Sequence, residues 1–409
     1  MKVIVIGSIE AGVSAAHKLS AGEQGTKIVV YEKDGFYTCG NCGLPHYLTE
    51  SMETLKEAIT AKEMALQAEH LEAHLRHEVT QIDQAARQIT VKDLTTGRTF
   101  IDHYDKLVLA TGSRNIISMV PGADKMGVQV FKNVEDLLFL KEYTKTPYVR
   151  DICILGGSYA GLEIAKAFLK LGRQVRIIEK ENKLLPDFDG EVSDMIQQEL
   201  QEAGVLFSMG ESVTKFTGKT FVEKVVTNKN TYDCDLCIVA MGVTPNSELA
   251  ASVGAALAPN GAIMIDSTLE TSVSDIYAVG DCALLQNGNL RTSSIKVADL
   301  EIARTGLTEL EARKNGVHTK SVIAGGNDRP GICPNPNRIM IKLVYDASSR
   351  QVLGAQAWGR KNVSARINAI AVAIQAGMTV EQLGSVDFVY SSSVSAIWDP
   401  VQVVCNAAK

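Results

Sequence analysis

The sequence predicts an α/β protein built from two strand-glycine-helix units and a closing α+β domain, and three observations carry that expectation. Residues 2–12, KVIVIGSIEAG, and 151–161, DICILGGSYAG, repeat one pattern at an offset of 149 positions. Each copy is followed by an alanine-rich helical stretch and by a second apolar strand ending in glutamate. After a proline-rich stretch at 328–337 the pattern changes to a hairpin and short helices. The 409 residues accommodate two or three domains, and 45% hydrophobic against 22% charged residues gives packed cores rather than disorder.

In the first unit the strand KVIVI runs into Gly7, a helix is expected over 13–19, and KIVVYEK (27–33) places Glu32 at the end of a second strand. In the second unit the helix is expected over 162–171, and QVRIIEK (174–180) places Glu179 likewise. The physical logic is that of a dinucleotide site. A turn glycine lets the backbone approach a pyrophosphate, which rests on the free N–H groups of the helix N-terminus. An acid about 20 residues on accepts hydrogen bonds from ribose hydroxyls. Gly7 precedes Glu32 by 25 positions and Gly156 precedes Glu179 by 23, while Ile9 and Ser158 stand where the fingerprint has its second glycine. Two Rossmann-like dinucleotide-binding domains follow as the expected architecture.

Three further segments run from an apolar strand into glycine: 104–114, 232–246 and 274–283. The stretch DRPGICPNPN (328–337) holds three of the ten prolines and reads as a linker between domains. Beyond it, 338–346 and 352–358 read as a hairpin, 362–376 as an amphipathic helix ending at Gly377, and Thr379 with Gln382 as a capping box. This closing α+β domain has about 85 residues.

The net charge of −6 gives no basic surface for nucleic acid. MKVIVIGSIEAG lacks the apolar region of a signal peptide, no stretch is long enough to cross a membrane, and a cytoplasmic location is expected. The eight cysteines, at 39, 42, 153, 234, 237, 282, 333 and 405, are then expected as reduced thiols. Cys234 and Cys237 have C-x-x-C spacing inside the strand-like run 232–241 and lack two further ligands nearby, so core packing rather than metal is expected.

The two units, LVLATGS, IYAVGDCA and the closing domain together resemble the pyridine nucleotide-disulfide oxidoreductases, flavoproteins with two dinucleotide-binding domains. YEKDGFYTCGNCGLPHYL (31–48) is similar to the single-cysteine branch that contains coenzyme A-disulfide reductase, NADH oxidase and NADH peroxidase. NCGLP is most similar to the coenzyme A-disulfide reductases. The resemblance implies an FAD domain split into 1–113 and 244–322, an NAD(P)H domain at 114–243, and a dimerisation domain at 323–409 whose homodimer partner completes each active site. It places Gly7, Ser8, Ile9, Ala11, Gly12, Glu32 and Lys33 around the adenosine half of FAD, and Ala110, Thr111 and Gly112 near the flavin chain. Gly280 and Asp281 would meet the ribityl hydroxyls, and Val297 and Ala298 would close over the flavin. Gly156, Ser158, Gly161 and Glu179 would take the nicotinamide nucleotide, with Gly242 nearby. Tyr159 matches the family's gating tyrosine, and Glu163 the acid after it. A carboxylate at Glu179 bonds a free 2′-hydroxyl and repels a 2′-phosphate, so NADH is expected, with Lys180 and Lys183 leaving NADPH open.

By the same resemblance Cys42 is the redox thiol, lying just before a helix with Pro45 in its first turn, which favours the thiolate. Cys39, three residues earlier, is either its resolving thiol or a bystander. Glu10 stands where oxidases and peroxidases of the branch usually carry histidine, and its negative charge would raise a neighbouring thiol pKa, which counts against peroxidase chemistry. Residues 380–409 contain no histidine, which disfavours the two-cysteine reductases, and Tyr390 remains as the proton donor to a thiolate leaving group. The function implied is NADH-dependent reduction of a small-molecule disulfide or persulfide, coenzyme A disulfide first, through FAD and Cys42. The alternatives are an NADH oxidase acting on oxygen and a reductase serving an electron-transfer protein.

Overall fold

The computed structural model describes residues 1–22, 25–36, 43–51, 53–57, 71–116, 120–286, 290–391 and 393–409. Cys39 and Cys42 lie outside the described residues. The chain forms two compact units: Met1–Arg150 with Gly218–Glu223 and Asp235–Gly288, and Asp151–Thr217 with Lys224–Cys234 and Asn289–Lys409.

The first unit is organised by a five-stranded parallel sheet in the order Ile276–Ala278, Lys106–Leu109, Lys2–Ile6, Lys27–Tyr31, Leu71–His74. Strands buried on both faces need continuous apolar runs rather than alternation, which is what KVIVI and KIVVY supply. Ile4 and Ile6 join Val29, Tyr31, Leu107 and Leu109 on one face. Val3 and Val5 join Ala16, Ile28, Val30 and Val108 on the other. Ala16 belongs to the helix Glu10–Ser20, which therefore covers that second face. The segment expected as strand 104–114 gives Lys106–Leu109 and then Ser113–Asn115, which pairs antiparallel with Val243–Pro245.

The second unit repeats the motif with the parallel strands Asp151–Leu155, Gln174–Glu179 and Leu206–Met209, and the helix Tyr159–Lys170. Its other half is a five-stranded antiparallel sheet in the order Ser293–Val297, Leu300–Gly306, Val352–Gly359, Arg338–Asp346, Thr319–Asn327. The helices Val363–Gln375, Val380–Gly384 and Pro400–Ala407 pack on it through Val363, Ile367, Ile370, Leu383 and Val404. The helix expected at 362–376 and the capping box at Thr379 and Gln382 are both present.

Two expectations need correction. Residues 328–337 are not a linker: strands Thr319–Asn327 and Arg338–Asp346 pair in continuous antiparallel register from Thr319↔Asp346 to Asn327↔Arg338, so the prolines fill a hairpin loop. Residues 120–150 pack in the first unit and 290–322 in the second, where Leu300–Gly306 pairs with Val352–Gly359. The run 232–241 is two strands, Thr231–Asp233 and Leu236–Val239, broken at Cys234 and Asp235. Both Cys234 and Cys237 are buried, and the Cys153 thiol is hydrogen-bonded to that of Cys234, which with burial raises its pKa. Among the described residues no group of three or more His, Cys, Asp or Glu is placed to hold a metal ion. No helix of the described residues is long and apolar enough to cross a membrane.

The proline loop is held at its base by Asp328, which is fully buried and accepts from Asn337 N–H at 2.8 Å, Asn337 Nδ2 at 3.1 Å, Asn362 Nδ2 at 3.2 Å and Arg329 at 3.3 Å. Asp328→Ala strands these donors and is expected to cost about 2–3 kcal/mol, read as a lower midpoint in urea unfolding. A shift of under about 0.5 kcal/mol would mean that the prolines alone shape the loop.

Candidate functional site

The two glycine turns are alike to the level of single hydrogen bonds. Gly7 has φ +105° and donates its N–H to Tyr31 O at 2.8 Å; Gly156 has φ +108° and donates to Ile178 O at 2.9 Å. A Cβ on Gly12 would stand 2.0 Å from Gly7 O, and one on Gly161 2.2 Å from Gly156 O. Only glycine permits that approach of helix to turn, and it brings the helix N-terminus up against the strand end.

Each strand-end glutamate then clasps its own turn. Glu32 accepts from Ser8 N–H at 2.7 Å and Asp34 N–H at 3.0 Å, one per carboxylate oxygen, and from the Ser8 hydroxyl at 3.0 Å. Glu179 accepts from Gly157 N–H at 2.7 Å and Glu181 N–H at 2.8 Å, again one per oxygen. A carboxylate oxygen has two lone pairs, so each clasp fixes the acid and leaves acceptor capacity for ribose hydroxyls. The helix starts differ. Ser158 caps its helix by accepting from Gly161 N–H, whereas Ile9 gives no side-chain cap to the helix that begins at Glu10. Glu10 therefore occupies a first-turn position where a carboxylate suits the helix dipole.

In the first unit the expected residues gather around the turn. Ala110 N–H donates to Ile6 O at 2.8 Å, a Cβ on Gly7 would stand 2.2 Å from Ala110 O, and one on Gly280 2.7 Å from the Ala11 side chain. Thr111 and Asn246 are mutually bonded, Thr111 Oγ1 to Asn246 O at 2.5 Å and Asn246 Nδ2 to Thr111 O at 2.8 Å. Gly112 O accepts from Asn246 N–H, and Gly242 O from Ile116 N–H at 3.0 Å. Asp281 is exposed on the single turn Gly280–Cys282 and accepts from Ser113 Oγ at 3.0 Å. Lys33 is exposed beside Glu32.

Three residues here escaped the sequence reading. Lys132 donates to Ser113 Oγ at 2.9 Å and to Ser113 O, and burial lowers its pKa while Asp281 raises it. Lys141 donates to the carbonyls of Tyr47 at 2.8 Å, Leu48 at 3.3 Å and Glu50 at 2.6 Å, clamping the C-terminal end of the helix Leu44–Leu48 that follows Cys42. Ser113 directly follows LVLATG and was within reach of the motif; nothing in VFKNVEDLLFLKEY distinguishes the two lysines.

In the second unit Tyr159 shares a hydrogen bond of 2.9 Å with Ser293 Oγ, and its ring lies 6.3 Å from that of Phe188. Burial raises the pKa of Tyr159 and of Glu163. Lys183 donates to Pro186 O at 3.2 Å and Phe188 O at 3.0 Å, and Lys180 is exposed. Val297 and Ala298, expected to close over a flavin, form the tight turn between the first two strands of the antiparallel sheet: Val297 is buried and Ala298 has φ +49°. Tyr390 is exposed.

Two glycine turns, each backed by a clasped glutamate, define a protein built to bind two dinucleotides. Residues 1–301 match the family model described as pyridine nucleotide-disulphide oxidoreductase, and residues 292–399 match that family's dimerisation domain. The chain belongs to this family and is one of its oxidoreductases. The stretch claimed by both models, 292–301, is the Val297–Ala298 hairpin region that the structure gives to the antiparallel sheet. A Pyrococcus abyssi protein named NAD(P)H sulfur oxidoreductase (CoA-dependent) is 31% identical, covering 100% of this chain and 98% of the relative. An Enterococcus faecalis NADH oxidase is 28% identical, covering 100% and 99%. The solved structure of reduced Bacillus anthracis CoADR-RHD is similar at a TM-score of 0.93 and 27% identity, covering 99% of this chain and 79% of that one.

The family's cofactors, FAD and a pyridine nucleotide, fit the residues present, because each unit has a turn that excludes any Cβ and a fixed carboxylate at the end of its second strand. The glycines separate the two half-sites experimentally. Gly161→Ala is expected to weaken pyridine-nucleotide binding at least about tenfold with FAD content unchanged, and Gly12→Ala to do the reverse. Equal loss of both ligands in either variant would contradict this assignment; absorbance gives FAD content and fluorescence titration the nucleotide affinity.

Asp34, beside the first clasp, titrates in a useful range. Burial, with the Glu32 and Glu135 carboxylates nearby, pushes it up to about 6. A carboxyl with a raised folded pKa favours the folded state at low pH, and that contribution is lost as pH rises from about 4 through 6. Asp34→Asn is therefore expected to stabilise the protein at pH 8 by about 1 kcal/mol, after allowance for partial solvent screening, and to have no effect at pH 4. Equal shifts in melting temperature at both pH values would rule out titration as the cause.

Proposed function

We infer that this protein is an NADH-preferring flavoenzyme that reduces a disulfide or persulfide, coenzyme A disulfide first, through Cys42. What supports the reading is the sequence position of Cys42, two residues before the helix Leu44–Leu48, whose far end Lys141 clamps. A helix start favours a thiolate, and a clamped helix holds that start in place. The Pyrococcus abyssi relative named as a CoA-dependent sulfur oxidoreductase supports the acceptor class.

Bound FAD supplies two-electron exchange between the nicotinamide and the thiol chemistry. Gly7, Gly12, Glu32, Lys33, Ser113, Lys132 and Asp281 would hold it. The Cys42 thiolate attacks one sulfur of the substrate, forms a mixed disulfide and releases the first thiol. Two-electron reduction of that mixed disulfide releases the second thiol and restores the thiolate. Across the cycle NADH and one proton are consumed for each disulfide converted to two thiols. Tyr390 is the candidate donor of a proton to the leaving thiolate, and Cys39 a candidate resolving thiol. NADH rather than NADPH follows from the Glu179 carboxylate at ribose position, with Lys183 committed to Pro186 O and Phe188 O.

A homodimer fits the terminal domain. Residues 389–398 expose Val389 at 75%, Ile397 at 68% and Trp398 at 60%, an apolar stretch of the kind that marks association surfaces. A second reading, NADH oxidase, is favoured by the name of the Enterococcus faecalis relative.

Two assays separate the readings. Cys42→Ser is expected to lose at least about 100-fold in disulfide turnover while NADH still bleaches the flavin anaerobically. Full disulfide turnover in that variant would remove Cys42 from the mechanism. NADH consumption in air without added disulfide, as fast as with it, would establish the oxidase instead.

A further inference from the structure

Four side chains form a polar row straight across the antiparallel sheet. Ser293 pairs with Arg304, Arg304 with Gln356, and Gln356 with Lys342, each across adjacent strands. Directly opposite residues project from the same face, so the row is one surface. Three of its members are sealed, Arg304 at 2% exposed, Gln356 at 1% and Lys342 at 2%, and Ser293 is half-buried.

Every member of the row reaches the nucleotide half of the same unit. Ser293 Oγ bonds Tyr159 OH at 2.9 Å. Arg304 donates to Asp187 O, and also to Gly306 O at 2.7 Å and Glu311 at 3.2 Å. Gln356 donates to Asp189 Oδ2 at 2.6 Å and accepts from Asp189 N–H at 2.8 Å. Lys342 pairs with Asp189, Glu191 and Glu309, each at 3.1 Å. The two ends gripped are the two edges of the second glycine turn. Tyr159 begins the helix that follows Gly156, while residues 187–191 end the loop that follows Glu179 and start the helix Gly190–Glu202. Phe188, inside the gripped loop, contacts the Tyr159 ring, so the edges also meet each other.

Burying two cations and their carboxylates yields little net stability, since desolvation offsets most of the Coulomb gain. What such a row does provide is a single geometry. We propose that Ser293, Arg304, Gln356 and Lys342 are positioning residues for the pyridine-nucleotide half-site, so that nucleotide affinity is set from the terminal sheet. The proposal rests on reading the Gly156 turn as the nucleotide site. It assigns these residues no contact with the nucleotide: they act through Tyr159 and the 181–189 loop.

The test uses the full-length flavoprotein with Ser293→Ala, Ser293→Thr and Gln356→Leu, comparing FAD content and melting temperature with the parent. NADH dissociation constants are expected to rise about fivefold in Ser293→Ala and about tenfold in Gln356→Leu, and to return to the parent value in Ser293→Thr. KM for NADH should rise several times more than kcat falls, a split that general destabilisation does not produce. Affinities within about twofold of the parent in both Ser293→Ala and Gln356→Leu would overturn the proposal. If the parent itself binds neither NADH nor NADPH, the functional reading fails separately. The positioning claim is then decided by hydrogen exchange in the nucleotide-free protein, where Gln356→Leu should speed exchange at 181–189 and an unchanged rate would refute it.

Discussion

The approach of a helix glycine to the carbonyl of a turn glycine is the constraint from which both half-sites follow. Gly12 over Gly7 and Gly161 over Gly156 leave no room for a single added carbon. That contact sets where each helix starts, and the start is where an anion meets free N–H groups. The glutamates complete the arrangement by bonding the residue just after the turn glycine, so strand end and turn become one piece. A dinucleotide bound at such a turn would meet polar groups already in place, at little ordering cost.

The two copies have diverged in what surrounds them. The first unit adds an exposed acid, Asp281, linked through Ser113 to the half-buried Lys132, a set suited to the polyol and phosphates of a flavin nucleotide. The second unit adds an aromatic wall of Tyr159 and Phe188 and is gripped by its own antiparallel sheet. A resident cofactor suits the first arrangement. A ligand that comes and goes suits the second, where affinity depends on how firmly the loop after Glu179 is held.

Much of this was legible in the sequence, and the limits have physical causes. Parallel strands buried on both faces write themselves as unbroken apolar runs, so KVIVI, KIVVY and DICIL stand out, and the glycines and glutamates that bound them are fixed by local geometry. Proline is ambiguous by contrast, because it suits a linker and a hairpin loop equally, and only the register between Thr319–Asn327 and Arg338–Asp346 decides for residues 328–337. Arg304, Lys342 and Gln356 were invisible for another reason. A polar residue in an apolar strand gains meaning only from its partner, and Asp187 for Arg304 and Asp189 for Lys342 and Gln356 lie more than 100 positions away.

In the proposed function, electrons from a pyridine nucleotide reach a sulfur acceptor by way of a thiol that changes oxidation state. The direct measurement is the mass of the peptide carrying Cys39 and Cys42, alkylated under denaturing conditions before and after anaerobic addition of NADH. Redox cycling of Cys42 requires an oxidised form beforehand, whether a coenzyme A adduct, a persulfide, a sulfenic acid or a Cys39 bridge, and a fully alkylated peptide afterwards. The same alkylated mass in both samples, from enzyme first exposed to its disulfide, would contradict it.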